Sequence, residues 1–67
     1  MFIEKYTAQI KDIHTKKAKK HTIDANTPFD AHKKALDYCN ALTQDVVKIT
    51  DSQNNIVYTL ANGFVND

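Results

Sequence analysis

The chain has 67 residues, 42% of them hydrophobic and 25% charged, with a formal net charge of +1. That length supports one domain with one small core, worth roughly 3–5 kcal/mol without covalent staples, and leaves no room for a deep cleft between domains. The single cysteine, Cys39, excludes an internal disulfide, and no apolar run approaches the ~20 residues of a membrane span.

The first residues alternate and lack the apolar centre of a signal peptide, so a soluble, cytoplasmic protein is expected. One cysteine suits a reducing compartment. All nine basic residues are lysines, and five of them (Lys11, Lys16, Lys17, Lys19, Lys20) fall in one short segment. Without arginine, any nucleic-acid contact leans on point charges rather than on bidentate reading of bases.

Phe2, Tyr6, Ala8 and Ile10 share one parity, with Glu4 the exception, while Lys5, Thr7, Gln9 and Lys11 take the other. Period two predicts a half-buried strand running to about Ile13. Residues 14–17 make the first turn; without Asn-Gly or Gly they predict a longer, mobile hairpin loop. A second strand over 18–25 turns His21, Ile23 and Ala25 inward and Lys20, Thr22 and Asp24 outward.

Thr27 is a suitable N-cap and Pro28 a suitable first helical residue. Asp30, three residues after the cap, completes a capping-box-like signal and sets a negative charge at the positive helix end. The helix is expected over 28–42, with Ala31, Ala35, Tyr38, Cys39 and Leu42 on one side. The two alanines let it lie close to a sheet. Lys33, Lys34, Asp37 and Asn40 take the opposite side, and Asp30–Lys34 is an i,i+4 pair. Phe29, His32 and Leu36 sit on a flank.

Residues 45–51 predict a third strand, Val47 and Ile49 alternating against Val46, Lys48 and Thr50. A polar turn follows at 51–55. Ile56, Tyr58 and Leu60 alternate with Val57 and Thr59 as a fourth strand. Asn62-Gly63 permits a tight turn, after which Phe64 and Val65 either add a short fifth strand or cover a core edge. The predicted fold is α+β, an antiparallel sheet of four to five strands with one helix on one face. Its open face carries Lys5, Lys11, Lys20, Lys48, Thr7, Thr22, Thr50 and Thr59.

The chemistry-bearing residues argue against an enzyme. His14, His21, His32 and Cys39 match no zinc spacing, so neither metal nor cofactor is expected. Cys39 falls late in a helix, away from the N-terminal dipole that activates a thiolate, and reads as a small core residue. A single glycine rules out a Gly-rich phosphate loop.

Two binding surfaces stand out. Lys16, Lys17, Lys19 and Lys20 on a hairpin form a positive prong that could follow a phosphate backbone in a salt-dependent way. The same lysines could instead guard a strand edge against pairing. On the helix, His32, Lys33 and Lys34 beside Phe29 and Leu36 suit a protein interface. The alternative is that Phe29 and Leu36 fill the core margin.

From Thr22 to Val65 the chain resembles a small type I-F anti-CRISPR protein. The residues concerned are the strand end Ile23-Asp24-Ala25, the helix Ala31-His32-Lys33-Lys34-Ala35 with Cys39 four residues on, the strand Val46-Val47-Lys48-Ile49, Tyr58, and the ending Gly63-Phe64-Val65. The resemblance implies a non-catalytic, phage-encoded inhibitor acting in the host cytoplasm. Such proteins dock on the repeated backbone subunits of the RNA-guided surveillance complex and obstruct the path of target DNA. It also implies contact through the helix basic pair, here His32 and Lys33. His32 stands at a lysine-like position and Lys33 at an arginine-like one; an unperturbed histidine is mostly uncharged at neutral pH.

Two other functions fit the same residues. One is direct nucleic-acid binding through the lysine hairpin. The other is an accessory or antitoxin-like module that pairs an exposed strand edge with a protein partner. A monomer or weak homodimer is expected in each case.

Overall fold

The computed structural model describes residues 3–40 and 42–65. Five antiparallel strands form one sheet, β1 (Glu4–Asp12), β2 (Ala18–Ala25), β3 (Gln44–Thr50), β4 (Ile56–Thr59) and β5 (Gly63–Phe64), in the order β2-β1-β3-β4-β5. Helix α1 (Pro28–Tyr38) packs on one face. Expected α+β class and strand order in sequence both hold, and β5 pairs with β4 through Tyr58–Phe64 and Thr59–Gly63. Phe2, included in the first-strand expectation, lies outside the described residues.

The helix begins as its sequence dictates. Thr27 is extended and its hydroxyl accepts from the Asp30 amide at 3.1 Å, and Pro28 opens the first turn. It ends at Tyr38, earlier than the residue-42 expectation, with Cys39 an extended C-cap. Asn40 is the reason. Its carbonyl accepts from Thr43 and Gln44, its side chain accepts from Leu42, and its own amide donates to Gln44 Oε1 at 2.8 Å. These local bonds compete with continued helix. Leu42 is consequently 85% exposed rather than packed, and Tyr38 is exposed apart from its stacking on His21. Ala41 lies outside the described residues.

Ala31 and Ala35 are fully buried, which brings the helix backbone close to the sheet. Facing them are Tyr6, Ala8, Ile10, Ile23, Ala25, Val46, Ile49 and Tyr58. Burial raises the Tyr6 phenol, and the Glu4 and Asp51 carboxylates add to the effect.

Strands β3 and β4 depart from simple alternation. Gln9 pairs with Lys48 but Ile10 pairs with Val46, so Val47 is an extra residue, a β-bulge. Val46 and Ile49, three apart, therefore both face the core, at 3% and 0% exposure, whereas strict parity put Val47 inside. The Val47 carbonyl accepts from the Leu60 amide at 3.0 Å. A second bulge at Val57 lies between the pairs Ile49–Tyr58 and Thr50–Ile56. It turns Ile56 to the open face beside Thr7, Gln9 and Thr50. Of the three residues expected inside β4, only Tyr58 is buried; Ile56 and Leu60 are exposed.

Both β-hairpin turns preceding β2 and β4 use one device. Asp12 Oδ1 accepts from the His14 and Thr15 amides at 2.8 and 3.0 Å, and Asp51 Oδ1 accepts from the Gln53 and Asn55 amides, each at 2.9 Å. The first loop is long, as expected, but it is tied rather than loose, because Lys16 N–H and Lys17 C=O also bond to the Asp12 backbone. Each turn needs one left-handed residue, Lys16 at φ 64° and Asn54 at φ 66°. Asparagine adopts that region readily, whereas lysine does so at a steric cost. K16G is expected to stabilise the fold by ~0.5–1 kcal/mol, read as a higher urea midpoint.

These amides hold both carboxylates below the ordinary aspartate value of 3.8, through Thr15 then His14 at Asp12 and through Asn55 then Gln53 at Asp51. Unfolded aspartates bind protons first as pH falls, so this contribution is complete above about pH 4 and is lost as acid titrates the folded carboxylates. Wild-type urea midpoints should therefore fall below about pH 4. D12N/D51N should start lower at neutral pH and lose less on acidification; an unchanged acid slope would refute the assignment.

Candidate functional site

Phe29, His32 and Leu36 recur at helical spacing and form one stripe along α1, directed at the β4–β5 end of the sheet. Phe29 lies against Phe64 with ring centroids 4.1 Å apart and the rings tilted by 33°. His32 lies 4.4 Å from Tyr58 and meets Phe64 edge-on at 5.5 Å, and Tyr58 and Phe64 are 5.0 Å apart. The cluster is graded: Tyr58 is buried, His32 and Phe64 are half-buried, and Phe29 is 67% exposed. Below it His32, Leu36, Cys39, Val46, Tyr58 and Leu60 line a shallow groove of about 120 Å³. Leu36 and Leu60 leave it exposed at its lip.

The two helix lysines have different fates. Lys33 is exposed and lies one turn from both Phe29 and Leu36, so it rims the apolar stripe. Lys34 turns the other way. Its Nζ donates to the Asp24 carbonyl at 2.8 Å and lies 3.3 Å from Asp30 Oδ2, tethering α1 to the end of β2. Of the five helix residues, the structure thus joins Phe29, His32 and Leu36, sets Lys33 beside them, and commits Lys34 elsewhere. Sequence spacing placed His32 off the packing face; its contacts with Tyr58 and Phe64 put it on the margin of that face.

The lysine hairpin does not act as one prong. Strand alternation divides it. Lys17 and Lys19 line a groove of about 350 Å³ on the helix side, with Ile10, Asp12, Thr15, His21 and Gln44. Lys20 lies on the open face with Gln9 and Lys48. Lys16 occupies the turn. The open face is polar as expected, and its cross-strand rows are Lys20–Gln9–Lys48–Thr59 and Thr22–Thr7–Thr50–Ile56.

His32 and Cys39 border the same groove but stand seven residues apart, about 10 Å along the helix axis. The Cys39 thiol donates to the Leu36 carbonyl at 3.6 Å, a bond within the last helical turn. They form no nucleophile–base pair. Among the described residues no three His, Cys, Asp or Glu side chains converge on a common point.

Phe64, Tyr58 and Leu60 are the site residues that sequence reasoning missed. Their signal was present, aromatic and apolar residues on either side of Asn62-Gly63, but only the β4–β5 pairing directs them to α1. Comparison with protein-family models, curated proteins and solved structures returns no significant match to this chain.

Proposed function

We propose that this chain is a non-enzymatic, phage-type inhibitor that binds a CRISPR RNA-guided surveillance complex and blocks target DNA. The observation that carries this reading is the exposed Phe29 ring seated on half-buried Phe64, continued by exposed Leu36 and Leu60 and rimmed by Lys33. Rigid aromatic rings in an exposed apolar stripe beside an uncommitted cation are the anchors on which protein interfaces concentrate binding energy. The resemblance over residues 22–65 directs the proposal to the backbone subunits of the complex. A small rigid domain seated there excludes nucleic acid by its volume and leaves the lysine-bearing sheet face free. Its place of action is the host cytoplasm.

The test is a gel shift of labelled target duplex with a purified type I-F surveillance complex, with and without the protein. Loss of the complex–DNA band, with little shift by the protein alone at moderate salt, supports the reading. Undiminished DNA binding at saturating protein sinks it.

A second reading, nucleic-acid binding, is favoured by one observation. Lys20 and Lys48 flank Gln9 in a single row on the open face, with Lys5 and Lys11 on the same parity. It requires a shift of DNA by the protein alone that falls steeply with salt.

A further inference from the structure

The two edges of the sheet are unequal. β5 offers two residues, whereas β2 offers eight, free of proline and continuous in its register with β1. In an antiparallel ladder alternate residues direct both backbone groups to the same neighbour. Asp12 N–H donates to the Lys17 carbonyl, so odd-numbered residues of β2 face β1. Ala18, Lys20, Thr22 and Asp24 therefore turn their N–H and C=O groups to the free edge. The Lys34–Asp24 carbonyl bond agrees with this alternation.

We propose that β2 is a self-pairing edge, joining two copies of the chain antiparallel about a two-fold axis at Thr22. In that register Lys20 of each copy stands opposite Asp24 of the other, twice, on the open face. Charge chooses it among the alternatives. An axis at Lys20 opposes two lysines, one at Asp24 opposes two aspartates, and one at His21 or Ile23 places no opposite charges together. Opposite-charge and Thr–Thr cross-strand pairs are favourable. The Thr22–Thr7–Thr50 row would also continue across the joint into its copy. Isolated edge lysines discourage pairing, but here each lysine meets its own counter-ion. The Lys34 tether uses one lone pair of the Asp24 carbonyl and leaves the second for a strand bond. The Phe29–Phe64 stripe lies at the opposite end of the sheet and remains open in the dimer.

Sedimentation equilibrium from micromolar to millimolar protein tests this. The mass should rise with concentration from 7.6 kDa toward twice that value. Lys20 and Thr22 amides should gain hydrogen-exchange protection over the same range, since the joint gives them partners that they lack among the described residues. K20E should weaken association by at least about tenfold, because it sets like charges opposite at both ends. The double swap K20E/D24K should restore it. A chain that stays at 7.6 kDa throughout, or a dimer that K20E leaves intact or the double swap fails to rescue, overturns the proposal.

Discussion

Ile49→Ala is expected to leave much of the chain unfolded at room temperature. Among the described residues Ile49 is the largest side chain with no exposed surface, and it sits opposite Ala8 on β1 and Tyr58 on β4. Truncating a buried isoleucine to alanine costs about 2–5 kcal/mol through lost transfer energy and the cavity left behind. A core of this size supplies roughly 3–5 kcal/mol in total. Ile49→Val, at about 0.5–1.5 kcal/mol, should keep the fold and lower its urea midpoint. The same measurement examines the bulge at Val47. V46A removes a core side chain and should cost clearly more than V47A, whose side chain is half-buried. A V47A cost above that of V46A would mean that β3 alternates simply, with Val47 in the core.

Phe29→Ala is expected to abolish most inhibitor binding while barely affecting the fold. Its ring is mainly solvent-exposed and its chief contact is Phe64, a pair worth about 0.5–1.5 kcal/mol of stability. At the centre of an interface, loss of such an anchor costs about 2 kcal/mol or more, roughly 30-fold in affinity. Lys33→Ala should change stability by no more than about 0.5 kcal/mol, as an exposed residue does, and weaken binding less than F29A. His32→Ala differs from both. It removes contacts with Tyr58 and Phe64, so it lowers the melting temperature along with binding and is the poorer probe of recognition. Titration of each variant against immobilised surveillance complex, with thermal melts alongside, separates these effects. F29A and K33A that are folded and bind as tightly as wild type would remove this face from the function.

Much of the architecture was legible because its signals are local. The Thr27-Pro28 start follows from backbone chemistry confined to a single turn, and the alternation in β1 and β2 follows from the two-residue repeat of a strand. The helix end was less legible. Asn40 competes for the amides that would continue the helix, an effect that depends on Gln44 folding back onto it.

The candidate site lay further from view. Spacing identified Phe29, His32 and Leu36 as one stripe, but nothing in the order of residues showed that Phe64 and Tyr58 would meet it. Parity also misjudged Val46, Val47 and Ile56, because one extra residue in a strand reverses the side of its neighbours, and Leu60 keeps the side of Tyr58 but lies in the turn after β4, exposed at the groove's lip. The lysines of the hairpin looked like one cluster in the chain and belong to opposite faces of the sheet.

By itself, then, the sequence determined the α+β class, one helix on an antiparallel sheet, the helix start and the polar character of the open face, since each depends on residues within a turn or on a two-residue period. Tertiary structure alone decided the two bulges, the commitment of Lys34 to Asp24, the division of the hairpin lysines and the assembly of Phe29 with Phe64. Those features arise from strand register and from contacts between residues far apart in the chain, where the energy lies in pairings that no local pattern encodes.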